Sequence, residues 1–68
     1  MPSLEHQIGE RIRALREARG WFQRDLAKAA KLPVRTIGRI ERGDVDVRLS
    51  TLDRIAKALG ESLKNLLP

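Results

Sequence analysis

The sequence predicts an all-α fold: a compact five-helix domain in which two short central helices cross over a tight turn. Three observations lead there. Apolar and small residues, among them Leu26, Ala27, Ala30, Val34, Ile37 and Ile40, recur with a 3.6-residue period. The longest apolar–polar alternation is Val45-Asp46-Val47, too short for a strand. Helix-ending and helix-starting residues, Gly20, Pro33, Gly43 and Gly60, divide the periodic pattern. A chain of 68 residues makes one domain, residues 1–68, with a small core and a modest stability margin.

The first helix opens at Ser3, whose hydroxyl can cap the first turn, and closes at Gly20 in a left-handed conformation. Leu4, Ile8, Ile12 and Leu15 form its buried stripe. The second helix runs from about Gln23 to Ala30, and Lys31-Leu32-Pro33 leaves room only for a tight turn. The third starts near Pro33, whose fixed φ suits a first helical turn, and ends at Gly43. A loop follows from Asp44 to Leu49. The fourth helix begins at Ser50, which with Asp53 has the spacing of a capping box, and carries Leu52, Ile55, Ala56 and Leu59 inward. Gly60 ends it. Ser62 caps a last short helix bearing Leu63, Leu66 and Leu67.

Composition narrows the function. With no cysteine and a single histidine, His6, the chain has neither a disulfide framework nor a metal site. A net charge of +5 and a pI of about 10.8 favour a polyanionic partner, nucleic acid or an anionic surface. No apolar run spans a membrane, and the first ten residues lack a signal-peptide layout, so a cytoplasmic protein is expected. One Trp, one Phe and no Tyr are too few aromatic platforms for a base-stacking RNA-binding sheet or barrel. A deep catalytic cavity would be hard to carve from so small a core, so no enzymatic activity and no cofactor are expected.

Two helices that cross over a short turn need a small residue at the crossing, and Ala27 supplies it. Ile37, ten positions later, faces it with a stiff branched side chain, while Leu26 and Ile40 point to the rest of the core. This pattern alone suits either a DNA-binding unit or an αα-hairpin with no DNA role. The order Gln23-x-x-Leu26-Ala27, then Ile37, then Glu41-x-Gly43 resembles the Cro/Xre-type helix-turn-helix family, with its lambda-repressor-like domain. The flanking segments, Ile8 to Trp21 and Leu49 to Leu67, resemble the family's first, fourth and fifth helices, so the resemblance covers nearly the whole chain.

The resemblance implies a sequence-specific regulator of transcription that lays its third helix in the DNA major groove. Val34, Arg35, Thr36 and Arg39 would face the bases: Arg can fork onto guanine, and Val34 or Thr36 can meet a thymine methyl. Gln23 holds the family position that reaches a phosphate, with Arg24, Lys28, Lys31, Arg42 and Arg48 as further candidates. Arg16 and Glu41 match a buried salt bridge that ties the third helix to the first. Trp21 takes the place of a large core residue, and His6 that of an exposed helix residue.

Five positions depart from the pattern. Lys31 stands where most members have a left-handed Gly, at a strain of about 1 kcal/mol. Phe22 replaces the usual Ser, Thr or Asn cap, a loss of ~0.5–2 kcal/mol. Asp44 and Asp46 place carboxylates where members often face the DNA backbone with cations or Asn. Gly38 inside the recognition helix costs ~1 kcal/mol relative to Ala.

A domain this small reads few base pairs alone, so a homodimer on a pseudo-palindromic operator is expected, with Leu63, Leu66 and Leu67 as an apolar surface for self-association. Repression by occupying DNA, or regulation through contact with RNA polymerase, is the leading reading, and Thr36 to Gly43 with Leu49 to Leu59 is similar to controller proteins of restriction-modification systems. An antitoxin-like module that binds a toxin, with autoregulatory DNA binding, is the alternative. A bridging domain without DNA contacts is a third. A prokaryote or phage is the family's usual setting.

Overall fold

The computed structural model describes residues 2–68. Four α-helices follow one another: α1 (Leu4–Ala18), α2 (Gln23–Ala30), α3 (Val34–Glu41) and α4 (Leu49–Ala58). A single 3-10 turn, Leu63–Leu66, stands where a fifth helix is predicted. No strand occurs among the described residues.

Local chemistry explains most of the boundaries. Ser3 Oγ accepts from the His6 backbone N–H at 3.1 Å and caps α1 as its sequence predicts. All four helices end in the same way. Within two residues of the helix end the backbone turns left-handed, at Gly20, Lys31, Gly43 and Gly60, and the next N–H reaches back five residues: Trp21 to the Arg16 carbonyl, Leu32 to Ala27, Asp44 to Arg39 and Glu61 to Ala56. Glycine takes the left-handed position three times. At α2 it is Lys31, with φ 58°. Arg54 of α4 braces this end, donating Nη2 to the carbonyls of Ala30 at 3.0 Å and Lys31 at 2.7 Å.

Three expectations are corrected. Pro33 is not the first helical residue of α3 but the extended residue before it, with ψ 144°. Helix α4 starts at Leu49, so the Ser50–Asp53 capping box does not form, and Asp53 pairs with Lys57 one turn on at 2.9 Å. The C-terminal segment is too short to repay helix nucleation and closes only one tight turn. Pro68 restricts Leu67 before it to extended backbone, and Arg11 Nε pins the turn through the Asn65 carbonyl at 2.8 Å.

The core joins Ile8 and Ile12 of α1, Leu26, Ala27 and Ala30 of α2, Ile37 and Ile40 of α3, and Leu52, Ile55, Ala56 and Leu59 of α4, with Leu66 closing its end. Leu15 and Trp21 pack partly buried at its edge, whereas Leu4 lies outside it. Helix α3 packs on both α1 and α2. Its approach to α1 depends on Gly9: a Cβ there would stand 2.6 Å from the Glu41 carbonyl oxygen, a contact no side chain allows. The C-terminal end of α3 therefore rests on the backbone of α1.

Candidate nucleic-acid interface

Helix α3 has two faces. Ile37, Ile40 and Glu41 are buried, while Arg35, Arg39 and Arg42 recur at i, i+4 and i+7 on the opposite side, all exposed. Val34 flanks this cationic stripe, about half exposed. Thr36 lies on the other flank, half-buried beside Val45, Val47 and Arg48. Arg35 and Arg39 have no ion-pair partner among the described residues.

A buried polar network holds this helix in place. Arg16 of α1 donates Nε to Glu41 Oε2 at 2.7 Å and Nη2 to Glu41 Oε1 at 3.0 Å, a two-pronged pair. Its Nη1 donates to the Trp21 carbonyl at 2.7 Å. Gln23, the first residue of α2, donates Nε2 to Glu41 Oε1 at 3.1 Å. The hydrogen bond that the Glu41 carboxylate accepts, with its charge, holds the Arg16 guanidinium above its ordinary range, although burial pulls the other way. No buried side-chain nitrogen or oxygen among the described residues lacks a partner.

The remaining predicted cations fall in different places. Arg24, Lys28 and Lys31 recur at i, i+4 and i+7 on the outer side of α2, all exposed. The Arg24 guanidinium lies over the Phe22 ring, 4.9 Å from its centroid. Phe22 is 63% exposed and does not pack into the core. Arg48 is the exposed residue before α4. Arg42, at the end of α3, donates Nε to Asp44 Oδ2 at 2.9 Å. Gly38 forms a notch in α3 that the side chains of Gln23 and Arg42 cover: a Cβ there would lie 3.2 Å from Arg42 Nη1 and 3.5 Å from Gln23 Oε1. The structure thus brings Gln23, Gly38 and Arg42 together.

The apolar residues at the C-terminus divide. Leu66 is fully buried in the monomer core and offers no free surface, contrary to its predicted place in an interface; Leu63 is partly buried against the same core. Leu67 is exposed, beside a groove of about 120 Å³ that Leu4, Val47 and Leu49 also line. Pockets that hold small molecules usually measure ~300–1,000 Å³, so this groove is small for a cofactor. No cluster of His, Asp or Glu with metal-binding geometry occurs among the described residues. No helix among the described residues is long and apolar enough to cross a membrane.

Several positioning residues escape the sequence reading. Arg54, Gly9 and Arg11 act through tertiary contacts that no local pattern signals. Arg19 is a fourth: it donates Nη1 to the Leu59 carbonyl at 3.1 Å and lies over the Trp21 ring. Asp25 did carry a signal: it lies three residues after Phe22, and its Oδ2 accepts from the Phe22 N–H at 2.7 Å. Half of a capping box therefore survives where the side-chain cap itself is lost.

Residues 12–66 match the helix-turn-helix family HTH_3. The chain belongs to this family. The HTH-type transcriptional regulator DdrOP3 of Deinococcus deserti is 38% identical over 61 residues. The match takes in 90% of this chain and 47% of DdrOP3, so the chain spans about half the length of that relative. The restriction-modification controller protein C.AhdI from Aeromonas hydrophila has a similar structure, with a TM-score of 0.90 and 33% identity over 93% of this chain and 96% of that one. The clp gene regulator ClgR of Corynebacterium glutamicum superposes with a TM-score of 0.91 and 29% identity, over 97% of this chain and 86% of its own.

Proposed function

We propose that this chain is a DNA-binding transcriptional regulator that lays α3 in the major groove. The observation that carries the reading is the stripe of Arg35, Arg39 and Arg42 on the outer side of α3, on a helix fastened to its scaffold by the Arg16–Glu41 pair. Two unpaired guanidiniums on a rigid helix are suited to fork onto guanine O6 and N7, at about 1–3 kcal/mol of discrimination for each correct pair. Arg39 and Arg35 read bases, and Val34 meets a thymine methyl. Thr36 contributes only at the edge of the groove, since it is half-buried. Arg24, Lys28, Lys31, Arg42 and Arg48 neutralise phosphates, and Gln23 donates a hydrogen bond to one. The names of DdrOP3, C.AhdI and ClgR agree with this role.

The chain acts as a repressor by occupying its operator, and binds as a homodimer to two half-sites about one helical turn apart. The self-association surface is the exposed apolar rim of Leu4, Leu49 and Leu67 rather than Leu66. Selection of bound sequences from a random duplex pool tests the base contacts. A palindromic consensus is expected, and Arg39→Ala should relax it at one position in each half-site. A consensus unchanged in Arg39→Ala would remove that residue from the readout. Sedimentation of the protein on the selected duplex tests the dimer, and one protomer per duplex would refute it.

A second reading has an observation of its own. Phe22, 63% exposed beside the cationic α2 stripe, suits contact with a protein surface, whether a toxin partner of an antitoxin-like module or RNA polymerase. Absence of binding to mixed-sequence DNA at low salt would favour that module over the DNA reader.

A further inference from the structure

We propose that Asp44 stands in for a DNA phosphate on Arg42 and thereby holds down the affinity of the α3 face for DNA. The inference rests on the DNA-binding reading and assigns a role to the acidic loop that this reading leaves unexplained. Arg42 is the third cation of the α3 stripe, yet it alone of the three is paired: its Nε donates to Asp44 Oδ2 at 2.9 Å. The backbone sets this arrangement. The Asp44 N–H reaches the Arg39 carbonyl at 3.0 Å and the Gly43 N–H the Ile40 carbonyl at 3.0 Å, which seats Asp44 directly against the end of α3. A carboxylate there faces the negative pole of the helix, a place that disfavours it without its cation.

The other edge of the Arg42 guanidinium faces the interface. Nη1 and the Gln23 carboxamide share the notch of Gly38. Gln23 Nε2 spends one hydrogen on Glu41 and retains the other. A phosphate oxygen at this notch would meet donors from both side chains. Carboxylate and phosphate compete for guanidinium by the same forked geometry, so Asp44 occupies part of the capacity a phosphate needs. Asp46, two residues on, is exposed and has no ion-pair partner among the described residues, and so provides an internal control of equal charge.

The test is fluorescence anisotropy of a labelled mixed-sequence duplex titrated with the full chain across a range of salt. Asp44→Asn should tighten binding by up to about 5-fold, the scale on which a surface ion pair competes. It should also steepen the slope of log K on log salt by about 0.9, one further phosphate neutralised. Asp46→Asn should tighten binding by less and leave the slope unchanged. Adding Arg42→Ala to Asp44→Asn should abolish the gain. Equal effects of the two Asn variants, or a gain that survives Arg42→Ala, would overturn the proposal while leaving DNA binding intact. No binding by any variant at the lowest salt would overturn the DNA reading and this proposal with it.

Discussion

Replacing Glu41 with Gln should unfold much of this domain's stability margin, because it strands a buried guanidinium. The Arg16 and Glu41 side chains are 9% and 3% exposed, so water cannot take over the lost partner. The variant keeps an oxygen for one hydrogen bond but points an NH2 group at an Arg nitrogen that now donates into it. Loss of one partner from such a pair costs ~3–5 kcal/mol, and the retained oxygen argues for the lower end. A domain of this length holds only roughly 3–10 kcal/mol in total. A loss of about 3 kcal/mol would lower the melting temperature by about 12–24 °C. With a urea m-value of about 1 kcal/mol/M, the midpoint would fall by about 3 M. Circular dichroism during urea and thermal unfolding measures both. The double replacement Arg16→Met with Glu41→Leu should recover most of the loss, because an apolar pair of similar volume needs no desolvation. A Glu41→Gln penalty below about 1 kcal/mol would refute the reasoning, since that is the worth of an exposed pair. Since Glu41 holds the guanidinium above its ordinary range, the contribution from Arg16 is fully present below that range and is lost only in stronger alkali.

Other substitutions probe the scaffold. Lys31→Gly should stabilise by about 1 kcal/mol, seen as a rise in melting temperature, because Lys31 holds φ 58° at a position that favours glycine. Gly9→Ala should destabilise by about 1–3 kcal/mol or more by overpacking, although Ala is the better helix former at an open site, because its Cβ would meet the Glu41 carbonyl. In urea unfolding, Leu66→Ala should cost ~2–5 kcal/mol and Leu49→Ala less than about 0.5 kcal/mol, which separates a core leucine from an exposed one.

What could be read in the sequence was mostly local. The Ser3 cap, the span of α2 and the burial of Ala27 and Ile37 in one core each follow from residues close in sequence or from periodicity, and the structure has them. The start of α4 was misplaced because Ser50 and Asp53 satisfy a capping pattern that Leu49, joining the helix earlier, makes unnecessary. Leu66 reads like Leu67 in sequence; only the Arg11 anchor and the single 3-10 turn aim one inward and leave the other outside. Gly9 carried no signal, since a glycine inside a helix looks like mere tolerance until another helix end is seen to rest on it. The acidic loop was legible as a departure from the family's pattern, but the pairing of Asp44 with Arg42 depends on the geometry of the turn after α3.

The fastening of α3 is uneven, and this separates stability from recognition. Its C-terminal half is gripped by Arg16 and Gln23 through Glu41, by the close pass of Gly9, and by Ile37 and Ile40 in the core. Its N-terminal turn has no side-chain cap, and Val34 and Arg35 are exposed there. In the proposed role as a recognition helix, α3 needs its base-facing residues held in register, yet those residues must be free to change as operators change. Rigid anchoring at one end meets both needs, because side chains at 34, 35 and 39 can be exchanged without touching the core or the buried pair. Surface exchanges of this kind usually alter stability by less than ~0.5 kcal/mol, whereas one correct base contact is worth ~1–3 kcal/mol of discrimination. On the proposed reading, sequence preference can thus be retuned on α3 at almost no cost to the fold, while position 41 tolerates no such freedom.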